Sequence, residues 1–259
     1  MTFPAYLELF GARLHPHVVF ETLAYFLGFR AYLWLRRRQA DDIPGPTRWW
    51  AITAAALGGA VGSKILAWLE DPAALQAQWT DPAFLMAGKT VVGGLLGGLV
   101  AVEVAKALLG ERRSTGDLFA VPLAIGMAIG RIGCFLTGLS DHTYGLETTL
   151  PWGVDFGDGV ARHPTQVYEL VFLVALAAWL VRLGARRPRR GDVFKAFMVA
   201  YLGFRLAVDA VKPGVALLGL TAIQWACVAG LLYYLSDIVY WMRAGFEGSR
   251  EGDTAIGTA

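Results

Sequence analysis

Seven stretches of about twenty predominantly apolar residues recur along this chain, at 17–35, 49–69, 90–109, 118–138, 165–183, 193–211 and 221–242. A helix of about twenty residues covers the roughly 30 Å hydrocarbon core of a bilayer. The expected fold class is therefore an all-α integral membrane protein with seven transmembrane helices. Bulk composition agrees, since 56% of the 259 residues are hydrophobic and 17% are charged. A soluble domain carries about 25% charged residues.

Loop charges set the expected orientation. Arg36, Arg37, Arg38 and Arg48 flank the first connection, Arg112 and Arg113 lie in the third, and Arg182, Arg186, Arg187, Arg189 and Arg190 crowd the fifth. The second connection is acidic (Glu70, Asp71, Asp81), as is the fourth (Asp141, Glu147, Asp155, Asp158). The positive-inside rule then places the odd loops in the cytoplasm, the N-terminus outside and the C-terminus inside. Tryptophans and tyrosines near the span ends, among them Trp49, Trp68, Trp152 and Tyr240, suit interfacial anchoring.

The fourth connection, about 139–164, carries Pro151, GVDFGDG and two histidines, and is expected to form an ordered cap. No linker or fixed-period repeat divides the chain. One membrane domain over 1–245 is expected, followed by a disordered cytoplasmic tail at 246–259. The first residues lack a basic n-region and a small-residue cleavage site, so no cleaved signal peptide is expected. Cys134 and Cys227 both lie in apolar runs without CxxC spacing, which supports neither a disulfide framework nor a zinc site. No cofactor or metal is expected. A net charge of +2 does not suggest nucleic acid as a partner.

Function hangs on the charges inside the apolar runs. GRIGCFLTG, 130–138, puts Arg131 within the fourth run. An ionised side chain there costs roughly 2.5–3.5 kcal/mol even on insertion scales. A carboxylate, a water-filled cavity or an anionic ligand must offset that cost. Arg205 lies at a similar depth in the sixth run, with Asp209 one turn on as a local ion-pair alternative, whereas Arg131 has no acid within a turn. Glu21 and Tyr25 lie one turn apart in the first run, Thr165 and Glu169 share a face of the fifth, and Lys64 and Lys89 add cations to the same outer half. Together they suggest a polar cavity open to the outside. The segment GKTVVGGLLGG, 88–98, has two readings: helix packing through Gly94 and Gly98, or glycines that let backbone amides approach a phosphate.

These segments, in this order, resemble the motifs of the prolipoprotein diacylglyceryl transferase family. GKTVVGGLLGG is similar to the family's HGG segment, GRIGCFLTG to GRxGNFxNGE, RHPTQVYE to RHPSQLYE, GFRLAVDAVKP to its C-terminal arginine segment, and AYFLGF to its span-one tyrosine stretch. The resemblance implies transfer of the diacylglyceryl group of phosphatidylglycerol to a lipobox cysteine of a secreted lipoprotein precursor, with release of glycerol 1-phosphate. It implies a bacterial inner-membrane location with the active site toward the periplasmic face. Arg131 and Arg205 match the family's essential arginines and, with His163 as candidate base, form the expected catalytic set. Tyr25, Glu21, Gly93, Gly94, Gln166, Glu169 and Asp209 form the expected substrate-binding set. The chain also departs from the pattern. Val92 stands where the family has the histidine before the glycines, Cys134 and Thr137 replace the signature asparagines, and Asp141 is displaced toward the position of the signature acid. Those departures leave two further readings: the same lipid chemistry with another acceptor, or a non-catalytic phospholipid-binding membrane protein.

Overall fold

The computed structural model describes residues 3–244 apart from 10, 40, 42 and 187; the expected tail at 246–259 lies outside the described residues. In lipid a backbone must satisfy its own hydrogen bonds, and helices do so within one segment. The long helices are α1 (Pro16–Arg38), α2 (Gly45–Glu70), α5 (Val91–Leu108), α6 (Asp117–Thr137), α7 (Thr165–Ala185) and α8 (Asp192–Val208), followed by α9 (Ala222–Tyr233) and α10 (Leu235–Ala244). Two short helices, α3 (Pro72–Gln78) and α4 (Pro82–Met86), occupy the second connection. Three small antiparallel hairpins lie outside the bundle: β1 (Leu7–Leu9) with β2 (Ala12–Leu14), β3 (Val154–Asp155) with β4 (Ala161–Arg162), and β5 (Ala216–Leu217) with β6 (Leu220–Thr221).

Among the described residues, α1, α2, α5, α6 and α7 are long and apolar enough to cross a membrane, and α9 with α10 make a sixth candidate span. The seventh apolar run is not one straight helix, because α9 and α10 meet at a 56° bend. The chain leaves helical geometry at Tyr234 (φ −91°, ψ 7°), whose ring is buried in the core. Helix α8 has 17 residues, short of the roughly twenty that span a bilayer. It is enclosed by its neighbours, with Phe197, Met198, Tyr201 and Leu202 fully buried. Large apolar side chains such as Phe26, Leu57, Val100, Val171 and Leu232 point outward. In water such a surface would aggregate; in lipid it faces its solvent.

Glycines decide which helices approach most closely. A Cβ on Gly97 would sit 2.4 Å from the Gly58 carbonyl and 2.8 Å from the Gly62 Cα, and one on Gly93 would sit 2.4 Å from the Gly62 carbonyl. The α2–α5 seam is thus a pair of small-xxx-small ridges, Gly58/Gly62 against Gly93/Gly97. This alters the assignment within GKTVVGGLLGG: Gly93 is a packing glycine facing α2, while Gly94 has looser neighbours at 3.6 Å and beyond. Gly97→Val is expected to destabilise the protein by about 1–3 kcal/mol through overpacking, read as a lower melting temperature in detergent. Gly184→Ala, with nothing within 4 Å of the added methyl, is the neutral control. Equal melting of the two variants would refute the seam.

The centre of the bundle is α6, which packs on α1, α7 and α8. Gly133 brings α1 in close, since a Cβ there would lie 2.7 Å from the Phe20 Cβ. Helix α6 ends at Gly138, whose φ of +72° lies in the region only glycine enters freely. The chain then turns through a 3₁₀ segment, Gly138–Asp141, that brings Asp141 back over α1. At the other end, Arg48 is buried between Asp41 and the Thr115 carbonyl (2.6 Å). Asp117 there accepts from the amides of Gly191 (2.6 Å) and Phe194 (3.0 Å), joining the start of α6 to the start of α8.

Candidate active site

Arg131 has a carboxylate partner, and it comes from another helix. Its Nη2 lies 2.9 Å from Glu169 Oε1 on α7. The other oxygen of Glu169 accepts from Arg205 Nη1 on α8 at 3.1 Å, and Tyr201 donates its hydroxyl to Oε1 at 2.6 Å. Arg205 Nη2 continues to Asp209 Oδ1 at 2.7 Å, and Thr221 at the start of α9 donates to Asp209 Oδ2 at 3.3 Å. Residues from α6, α7, α8 and the α9 cap therefore share one network. Two guanidinium groups from different helices converge on a single carboxylate.

The network is closed to solvent. Arg131 is 8% exposed, Arg205 4% and Glu169 1%. The expected outward-opening cavity is not formed around the arginines; helix packing and mutual ion pairing fill the layer instead. The two described cavities, of about 420 and 130 Å³, lie at the opposite end, lined by residues such as Glu103 and Arg112, or Asp41 and Arg48.

Unused polar capacity remains in this layer. Gln166, one turn before Glu169 on α7, is fully buried, and neither amide atom has a partner among the described residues; Arg205 Nε is likewise unpaired. Each such atom costs about 1–3 kcal/mol unless something binds it. Lys212, just beyond α8, adds a third cation. Burial first, then the charges of Arg205 and Arg131, push its ammonium down to about 8. With Lys212 protonated, three cations face Glu169 and Asp209, and Glu70 lies within electrostatic reach of Arg205, Lys212 and Asp209 as a third carboxylate.

A second polar group sits between α1 and the end of α6. His17 Nδ1 lies 2.8 Å from Asp141 Oδ1, and its Nε2 lies 3.5 Å from Glu21 Oε2. Glu21 Oε1 in turn accepts from Lys89 at 2.7 Å, and Thr143 donates to Asp141 Oδ2 at 2.6 Å. Cys134 joins the two groups, because Arg131 Nη1 reaches its sulfur at 3.7 Å.

The residues expected from sequence thus divide. Arg131, Arg205, Glu169 and Asp209 are brought together, with Gln166 beside them on α7. Glu21 belongs to the second group. His163 is not joined to either arginine among the described residues; its Nδ1 lies 3.1 Å from the Tyr168 hydroxyl, which also accepts from Trp152 at 2.8 Å. Tyr25 is 72% exposed on the outer surface of α1. Gly93 packs on α2. Lys64 is held by the carbonyls of Met86, Ala87 and Gly88 at the end of α4. His17, Tyr201 and Lys212 were not singled out from sequence. Hydropathy offers no signal for Tyr201. His17 does fall one turn before Glu21, the one local hint of its place.

Comparison with known proteins agrees with the motifs. The family described as prolipoprotein diacylglyceryl transferase matches residues 4–242. The phosphatidylglycerol–prolipoprotein diacylglyceryl transferase of Nitratidesulfovibrio vulgaris (strain Miyazaki F) is 34% identical over 253 residues, covering 90% of this chain and 91% of the relative. The protein of the same name from Geobacter sulfurreducens is 33% identical, over 86% of this chain and 88% of its own. That from Cupriavidus pinatubonensis is 30% identical, over 88% and 89%.

Proposed function

The chain belongs to the prolipoprotein diacylglyceryl transferase family, and on that premise we propose that it moves the diacylglyceryl group of phosphatidylglycerol to the cysteine thiol of a prolipoprotein. The observation that carries the site assignment is the convergence of Arg131 and Arg205, from α6 and α8, on one buried carboxylate. In the transfer, sulfur forms a bond to a glycerol carbon while the carbon–oxygen bond to phosphate breaks. The electron pair departs with the phosphate, giving glycerol 1-phosphate. Charge therefore develops on a phosphate oxygen, and guanidinium groups in a water-poor site stabilise such charge most strongly.

The phosphate of the lipid takes its place in the arginine layer by sharing the arginines with Glu169 and Asp209. Arg205 Nε and the amide of Gln166 are the donors left open for it. Tyr201 holds Glu169, and Glu169 sets the distance between the two arginines. Glu169 and Asp209 are positioning residues for the guanidinium pair.

A seven-span bundle with its N-terminus outside is supported by the alternation of basic and acidic loops, with α8 as the short, enclosed span. That orientation puts the arginine layer in the outer half of a bacterial inner membrane, where secreted precursors present their cysteine.

Purified protein in detergent, given phosphatidylglycerol labelled in its head group and a lipobox peptide, is expected to release labelled glycerol 1-phosphate in step with loss of free thiol. Bound lipid without release, or release that does not consume the peptide thiol, would overturn this assignment.

A further inference from the structure

The transfer needs a thiolate, and a cysteine thiol has a pKa of about 8.5. Where the family carries a histidine this chain has Val92, fully buried in the apolar core. His163, the other histidine expected to act as base, is bonded to Tyr168. The group beside Arg131 offers another route to the thiolate.

The group formed by His17, Cys134 and Asp141 offers a different chemistry. Their donor atoms all lie within 4.8 Å of one another. We propose that these three residues bind a divalent zinc-class metal ion, and that the ion takes the acceptor cysteine as its fourth ligand and holds it as thiolate. The proposal rests on the transfer reaction described above.

Ligand chemistry favours such an ion. One imidazole nitrogen, one thiolate and one carboxylate oxygen make a borderline-soft donor set. Three protein ligands with one position left open is the pattern of reactive rather than structural zinc sites. Bonds of about 2.0–2.3 Å in a tetrahedron set donor separations near 3.3–3.6 Å. The Nδ1–Oδ1 contact at 2.8 Å has to open by about half an ångström, and the sulfur has to close by up to about 1.3 Å. Such movements lie within side-chain rotation of Asp141, at the end of its 3₁₀ turn.

Every ligand also has an outer partner already in place. With His17 Nδ1 on the metal, its Nε2–H points to Glu21 Oε2 at 3.5 Å, and Lys89 anchors Glu21 at 2.7 Å. Asp141 keeps Thr143 on its other oxygen, at 2.6 Å. Cys134 accepts from the Arg131 guanidinium at 3.7 Å. Partners of this kind fix ligand orientation and tautomer in metal sites. A third of the His17 side chain is exposed (32%), which gives ion and peptide a way in from the outer side.

The chemistry balances without a separate base. The incoming thiol binds the ion and its proton passes to water, because a coordinated thiol is deprotonated outright. A sulfur lone pair then forms the bond to the glycerol carbon as the phosphate leaves with the electrons of the broken carbon–oxygen bond. The ion keeps its oxidation state. Arg131 bridges the two halves of the site, touching Cys134 with one nitrogen and Glu169 with another.

Cobalt(II) titration of the full-length, metal-stripped protein in detergent tests the proposal. One equivalent is expected to bind, with intense visible bands of tetrahedral coordination and a thiolate-to-cobalt charge-transfer band in the near ultraviolet. Cys134→Ser should lose the charge-transfer band, His17→Ala should weaken binding about 100-fold or more, and Glu21→Gln should weaken it about 10-fold. A lipobox peptide should strengthen the band, and its serine analogue should not. Absence of stoichiometric binding, or a band that survives Cys134→Ser, overturns the site. A band indifferent to the peptide thiol, or full turnover after chelation, overturns thiolate delivery while leaving the transfer reaction intact. A cobalt-loaded protein that answers the peptide but releases no glycerol 1-phosphate refutes the transfer reaction while leaving the metal site standing.

Discussion

Arg131→Ala is expected to lower turnover by about 10²–10³-fold, the effect of removing one preorganised donor from developing negative charge. Arg131 is buried, fixed by Glu169 at 2.9 Å, and aimed into the layer where Arg205 also points. Its geometry is set before substrate arrives, so little reorganisation is needed as the phosphate leaves. Arg131→Lys should fall nearly as far, because one ammonium cannot span Glu169 and Cys134 as the planar guanidinium does. Loss of fold is separated from loss of chemistry by the lysine variant, which keeps a positive charge beside Glu169 and should keep the melting temperature within a few degrees. The rate of glycerol 1-phosphate release at saturating lipid is the measurement. An Arg131→Ala protein that turned over at more than a tenth of the normal rate would remove Arg131 from the catalytic set.

The second large effect is on stability. Glu169→Ala strips the counter-charge from two buried guanidinium groups and the acceptor from Tyr201 in one step. Breaking a buried ion pair by deleting one partner costs about 3–5 kcal/mol. For a chain of this size that corresponds to a melting temperature lower by roughly 10 °C. Glu169→Gln keeps the shape and one acceptor oxygen and should lose less. The double change Glu169→Gln with Arg205→Gln should recover part of the loss, because it removes an unpaired buried cation; with Arg205→Gln alone also measured, the difference between the double effect and the sum of the single effects gives the coupling energy of the pair. Thermal unfolding in detergent reads all of them. If Glu169→Ala melted with the unchanged protein, Glu169 would not be the joint of the network.

The arginines were legible from sequence because their cost in an apolar run is a one-dimensional fact. Their partner was less so. Glu169 lies 38 positions from Arg131, and its approach depends on how α6 and α7 are rotated against each other. The expectation of an open cavity failed for the same reason: charges at one depth were counted, but their pairing across helices was not visible. Glu21 was noticed within a turn of Tyr25, yet the structure pairs it with Lys89 and His17 while Tyr25 faces outward. Glycines show the same limit. The packing role expected for Gly94 and Gly98 holds for Gly98, whose added Cβ would lie 3.2 Å from the Ala55 carbonyl, while the tightest contacts fall on Gly93 and Gly97, because a single position turns a helix by about 100°. Cys134 and Asp141 appeared as departures from family motifs, and only the fold of α1 over the end of α6 brings His17 between them.

Sequence alone therefore determined the helical membrane class, the family and the two arginines. Each rests on local information: helix hydrogen bonds close within four residues, burial in lipid follows hydropathy along the chain, and motifs are contiguous. Tertiary structure alone decided that Glu169 joins the arginines, that the seventh apolar run bends at Tyr234, and that His17, Cys134 and Asp141 share one small volume. Those outcomes depend on the relative rotation and depth of neighbouring helices. Close glycine contacts and interhelical ion pairs set that arrangement; the four-residue spacing of Gly58/Gly62 and Gly93/Gly97 shows in the sequence, but which helix each ridge faces does not.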